Sequence, residues 1–134
     1  MGNVIARLAQ AIGYPEEIPA ESRVCVFKVD GQDVEVVEEV GRLVFTRVLS
    51  TDPDEAALSR LAGYAAGRIL KEEAVLAWDP SRSALILWQG VSASASDTVL
   101  RRVFEVFATS CDWWVARVRD DEAVSSIPPM MIRP

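Results

Sequence analysis

Residues 27–37 read FKVDGQDVEVV. Two strand-like runs meet at Asp30-Gly31, a dipeptide that accepts the positive φ angles of a two-residue hairpin turn. The upstream run, 24–29, is β-branched and aromatic, and the downstream run, 33–40, alternates Val34 and Val36 with Asp33 and Glu35. That period of two is the pattern of a strand with one buried face. Gln32 falls either in the loop or in the second strand. Gly41 marks another turn, and across 42–49 Leu43, Phe45 and Arg47 share one face while Val44, Thr46 and Val48 share the other. Three strands joined by such short turns predict an antiparallel meander. Nothing in residues 27–37 could do chemistry, so a function built on this hairpin must come from its surface.

Working outward toward the N-terminus, Asn3 can cap a helix in which Val4, Ile5, Leu8, Ala9 and Ile12 share a face, and Gly13 followed by Pro15 ends it. The stretch YPEEIPAES, residues 14–22, reads as a linker. Toward the C-terminus, TDPDEAALSRLAGYAAGRIL, residues 51–70, predicts a second helix with Asp52 as N-cap, Pro53 at its first position and Glu55 completing a capping box. Leu58, Leu61, Ala62, Ala65 and Ile69 form its apolar stripe, with Gly63, Ala66 and Gly67 as a small-residue patch beside it. An interior glycine costs a helix about 1 kcal/mol relative to alanine, so two of them point to the close approach of another backbone, or else to a helix that frays near Gly67.

Residues 74–79 and 84–89 predict a second hairpin around Asp79-Pro80-Ser81-Arg82, with Trp78 before the turn and Trp88 near its far end. After SASASD, which offers Ser96 or Asp97 as a cap, Leu100, Phe104, Phe107, Cys111, Trp114 and Val118 recur at spacings of four and three. This is the stripe of an amphipathic helix, and Val99, Val106 and Trp113 make a second stripe next to it. The remainder, RDDEAVSSIPPMMIRP, lacks periodicity and contains three prolines. The expected organisation is one α+β domain over 1–119 and a tail over 120–134, in the order α-β-β-β-α-β-β-α with a twisted antiparallel sheet packed by helices.

The totals agree with one domain: 134 residues, half of them apolar. Twenty acidic residues against 14 basic ones give a net charge of -6, which repels a phosphate backbone and argues against nucleic acid as partner. The N-terminal half is the more acidic, with 11 acids and 6 bases in residues 1–67 against 9 and 8 in 68–134. No apolar run has the length of a membrane span, MGNVIARLAQAIG is not a secretory signal, and Ala6 stands where a myristoylation motif needs Ser or Thr. A cytoplasmic location without a membrane partner is expected. Cys25 and Cys111 read as reduced, mostly buried thiols, although the sequence leaves a disulfide between them open.

Histidine is absent, which removes the usual catalytic triads and the commonest metal ligand. Gly63 and Gly67 lie inside a helix and match neither phosphate-binding glycine motif. Paired carboxylates at Glu16-Glu17, Glu38-Glu39, Glu72-Glu73 and Asp120-Asp121 sit in loops or at element ends, where solvated charge is the ordinary explanation. No enzyme activity, metal or cofactor is expected.

The element order, the VDGQDVEVV hairpin followed by RLVFTRVL, the WDPSRSALILWQGV hairpin and the final SDTVLRRVFEVFATSCDWWVARV helix together resemble the class I type III secretion chaperone family over roughly residues 1–120. The resemblance implies a bacterial, cytoplasmic homodimer that binds the extended N-terminal segment of a secreted effector. It further implies an effector-binding surface drawn from Ile5, Leu8 and Ile12 of the first helix and Phe27, Val34, Val36 and Phe45 of the sheet. The dimer interface it implies is helix 52–70 with the strand holding Trp78, represented by Leu61, Gly63, Ala66, Gly67 and Trp78. On that reading an edge strand donates main-chain hydrogen bonds to the client and pockets take alternate side chains. Aspartate at Leu8 or Val36 would then abolish client capture and leave the fold intact. The tail PPMMIRP has no counterpart in the family pattern.

Two other readings stand beside it. One is a small ligand-binding α+β domain with a pocket framed by Trp78, Trp88 and Trp113. The other is a regulatory interaction domain that binds a folded partner.

Overall fold

A computed structural model describes residues 3–19, 21–68 and 73–125, the last five as backbone. Helix α1 (Val4–Ile12) is followed by strands β1 (Val24–Val29), β2 (Gln32–Glu39) and β3 (Arg42–Thr51). Helix α2 (Glu55–Arg68), strands β4 (Val75–Asp79) and β5 (Ala84–Ser92), and helix α3 (Asp97–Ser125) complete the order. The five strands form one antiparallel sheet in the order β1-β2-β3-β5-β4. β1 and β4 are therefore its edges.

Local chemistry accounts for most boundaries. Asn3 accepts a hydrogen bond from the Ile5 amide, and Gly13, at φ 72°, closes α1 in the left-handed conformation. Asp30 and Gly31 both take positive φ, 51° and 78°. The turn is thus the two-residue type, and Gln32 belongs to β2, paired with Val29. Ser96 caps α3, its hydroxyl accepting from the Val99 amide at 3.3 Å.

Two boundaries differ from the sequence reading. α2 is capped by Asp54, whose carboxylate accepts from the Ala57 amide at 2.7 Å, whereas Asp52 has φ 48° and lies in the bend before the helix. Asp52 donates its amide to the Ser83 carbonyl, which holds it to the sheet rather than to the helix. α3 runs on through Ser125, six residues into the expected tail. The segment DDEAVS contains no breaker, and the next proline is Pro128. The expected Ile69 and Leu70 of α2, the rest of the tail from residue 126, and Glu72 of one carboxylate pair lie outside the described residues.

One face of the sheet carries the core. Phe27 of β1, Val34 and Val36 of β2, Leu43 and Phe45 of β3, and Leu85 and Leu87 of β5 pack against Ile5 and Leu8 of α1 and the α3 stripe Leu100, Phe104, Phe107, Cys111, Trp114 and Val118. Phe104 sits edge-on to both Phe27 and Phe45, at 5.8 and 5.4 Å, a geometry that favours aromatic pairs. Arg7 locks α1 to the start of α3 by donating to Asp97 at 2.7 Å and to the Ala95 carbonyl at 2.9 Å. α2 contributes only Leu61 to the buried set, with Ala65 partly buried.

No described element covers the opposite face, which carries Val26, Glu35, Thr46 and Trp88 in one cross-strand row. Its middle is closed by its own side chains: Trp88 lies across Gly90, where an added Cβ would sit 3.2 Å from the indole, and the Arg42 guanidinium stacks 5.2 Å from the indole centroid. Arg82 reaches over to Glu35 at 2.8 Å.

Candidate functional site

The residues named for effector binding divide sharply. Ile5, Leu8, Phe27, Val34, Val36 and Phe45 are at most 1% exposed. Ile5 and Leu8 are on the inner face of α1 and the other four are on the sheet face that it and α3 cover, so none lines an open groove. Ile12, at the end of α1, is partly exposed. It borders a recess of ≈ 470 Å³ whose lining also includes Tyr14, Pro15, Lys28, Val29, Asp30, Phe104, Glu105, Ala108 and Asp112. The six buried residues are core, and Phe104, which rests on Phe27 and Phe45, is where that core meets the recess.

Tyr14 organises this region. Its ring packs on Phe27 at 4.7 Å and its hydroxyl accepts a hydrogen bond from the Lys28 amide at 3.3 Å. Because β2 lies on the other side of β1, that amide points off the free edge of the sheet. By the alternation of an antiparallel ladder, the amides of Val24 and Val26 point the same way. Both side chains are exposed, at 58% and 46%. The region therefore joins a recess with apolar and polar walls to an edge whose Lys28 amide is taken by Tyr14 and whose Val24 and Val26 amides face away from β2. Tyr14 was read only as part of a linker; the available signal was an aromatic residue between Gly13 and Pro15 in an otherwise polar stretch.

A second surface lies on α2 and β4. Leu58, Tyr64, Val75 and Trp78 are exposed, as are Ala62, Gly63, Ala66 and Gly67. A Cβ built on Gly63 or Gly67 would meet nothing within 4 Å among the described residues, so packing among them gives no reason for either glycine. Of the residues expected at a dimer contact, Gly63, Ala66, Gly67 and Trp78 are at the surface and Leu61 is buried. The back of α2 is held by Trp113: the Arg68 and Arg117 guanidinium carbons lie 3.8 and 4.9 Å from its ring centroid, and Tyr64 meets it edge-on at 6.1 Å. A recess of ≈ 160 Å³ between α2 and β4 is lined by Ala65, Ala66, Arg68, Ala74, Val75, Leu76 and Trp114.

Neither surface gathers reactive groups. Cys25 and Cys111 are both free thiols. Burial first, and the Glu16 carboxylate second, push the Cys25 thiol above its ordinary pKa, so it stays protonated and a poor nucleophile near neutral pH. Among the described residues no three His, Cys, Asp or Glu side chains converge as metal ligands. The expected pocket between Trp78, Trp88 and Trp113 does not form. Trp78 is opposite Leu85 and Trp88 opposite Val75, so the two indoles project from opposite faces of the sheet.

A model of the Tir chaperone protein (CesT) family matches residues 3–114, and no curated protein matches the chain. The fold is similar to solved structures at low sequence identity. The HopA1–SchA chaperone–effector complex contains a chain that aligns with TM-score 0.64 and 15% identity, covering 84% of this chain and 91% of that one. A chain of the heterodimeric ExoU–SpcU complex from the type III secretion system of Pseudomonas aeruginosa aligns with TM-score 0.63 and 16% identity, covering 82% and 93%. The ExoT–SpcS complex from Pseudomonas aeruginosa gives TM-score 0.61 and 16% identity, covering 82% and 92%.

Proposed function

The chain belongs to the Tir chaperone protein (CesT) family, and on that premise we propose that it is a type III secretion chaperone. It binds the N-terminal, non-globular segment of a cognate effector and keeps that segment soluble and competent for export. The observation that carries this reading is the pairing of a recess, whose apolar part is Ile12, Tyr14, Val29 and Phe104, with the edge of β1. An extended segment can add main-chain hydrogen bonds to such an edge and place alternate side chains in the recess. Ordering a disordered client costs conformational entropy, which a wide apolar contact offsets. Phe27 and Phe45 support this site from beneath through Tyr14 and Phe104, and Ile5, Leu8, Val34 and Val36 belong to the same core.

The working form is a homodimer in the bacterial cytoplasm, joined through the exposed face of α2 and through β4 with Trp78. The two glycines support this assignment. Each lowers helix stability by about 1 kcal/mol relative to alanine, and close approach by a second backbone offsets that cost. The protein performs no catalysis and uses no cofactor. Among the described residues, no helix is long and apolar enough to cross a membrane.

The test is to capture the tagged protein from its native cells, digest the complex lightly and identify the protected segment. One N-terminal stretch of a secreted protein, protease-sensitive alone and resistant when bound, is the expected result. Recovery of a folded enzyme alone, or of nothing, would sink the chaperone assignment.

A further inference from the structure

The recess beside β1 is apolar at its floor and acidic at its rim. Ile12, Tyr14, Val29 and Phe104 supply the floor. Asp30, Glu105 and Asp112 stand around it with Lys28 as the only base in the lining, three negative charges against one positive. Glu105 accepts from Arg101 through Oε1 at 2.9 Å, and Asp112 accepts from Gln32 through Oδ1 at 2.8 Å. The second oxygen of each carboxylate has no partner among the described residues. The Arg101–Glu105 pair is itself well exposed, at 60% and 58%, and pairs of that kind hold their partners weakly.

We infer that this recess selects an extended peptide carrying an apolar side chain and, two residues along, a lysine or arginine. The spacing follows from strand geometry. Along a segment paired to the β1 edge, residues i and i+2 point to the same side about 7 Å apart, so one can enter the recess while the next meets its acidic rim. The charge of the rim makes a basic residue favourable there and an acidic one unfavourable. This rests on the chaperone assignment and adds the chemistry of the client segment to it.

Two fluorescein-labelled octapeptides test the inference, one with Val-Ser-Lys-Ser repeated twice and one with glutamate in place of lysine, titrated by anisotropy at low salt. The lysine peptide binds at least about tenfold more tightly than the glutamate peptide, and the gap narrows in high salt as screening predicts. Glu105→Gln combined with Asp112→Asn brings the ratio below about threefold, while Glu38→Gln with Glu39→Gln, at the far end of β2, leaves it unchanged. Equal binding of the two peptides, binding of neither, or a preference that survives the Glu105/Asp112 change overturns the inference. Loss of preference in the Glu38/Glu39 control overturns it too, by assigning the effect to overall charge. Effector capture by the wild type in the same preparation separates the two claims. Capture without any basic preference removes this inference alone, and absence of capture removes the chaperone assignment.

Discussion

Leu8 and Ile12 lie one turn apart on α1, share its apolar stripe, and differ in what a charge would do to them. Leu8 is fully buried against the sheet, whereas Ile12 faces the recess. An aspartate at Leu8, or at the equally buried Val36, places a carboxylate in the core, and we expect loss of cooperative folding in a thermal melt. Ile12→Asp, in contrast, keeps the melt within a few degrees and lowers effector capture. A folded Leu8→Asp protein would return Leu8 to the binding surface. Asp79 shows a different residue-scale effect. The Ser81 hydroxyl, followed by the Ser81 amide and Arg82, holds its carboxyl below the usual carboxylate range. A group whose folded pKa is depressed stabilises the fold above its unfolded pKa, and that contribution disappears as pH falls through the folded value. Stability measured from pH 5 downward should therefore fall less steeply in Asp79→Asn than in the wild type. Identical slopes would show that the turn contributes nothing to acid sensitivity.

At the scale of elements, the start of α2 separates two aspartates that look alike in sequence. Asp54 caps the helix by accepting from the Ala57 amide, while Asp52 occupies a left-handed bend. Asp54→Ala should cost about 1 kcal/mol in urea unfolding. Asp52→Asn, which keeps a residue tolerant of positive φ, should stay within about 0.5 kcal/mol of wild type. Equal losses from the two changes would move the cap back to Asp52. The α3 stripe was fully legible, and all six of its residues are in the core. The α2 stripe was not: among its described residues Leu58 and Ala62 are exposed and only Leu61 is deeply buried. Leu61, Tyr64, Ala65 and Arg68 mark the side on which α2 meets the rest of the chain, leaving Leu58, Ala62 and the two glycines for another surface.

Across the whole molecule, helices cover one face of the sheet, one edge of that sheet adjoins the recess, and the other edge adjoins α2 at Ala65 and Ala66. The last arrangement gives the clearest test of assembly. Since a side chain at Gly67 enters open space within this chain, Gly67→Leu should fold at least as well as the wild type, with a gain of about 0.5–1 kcal/mol from helix propensity. If α2 makes the proposed dimer contact, the wild type should sediment as a dimer and Gly67→Leu as a monomer. A Gly67→Leu dimer of undiminished affinity would remove α2 from the interface.

By itself the sequence determined the meander, both hairpin turns, the three helices and the resemblance to a chaperone family, because turn chemistry and apolar periodicity act over a few residues. It also showed that triads which depend on histidine cannot be assembled. The tertiary structure alone decided that Ile5, Leu8, Phe27, Val34, Val36 and Phe45 are core rather than surface. It placed Trp78 and Trp88 on opposite faces, and it drew Tyr14 from an apparent linker onto Phe27 and the β1 edge. Periodicity reports which side chains share a face; whether another element lies against that face depends on contacts far apart in the chain, which only the packed fold settles.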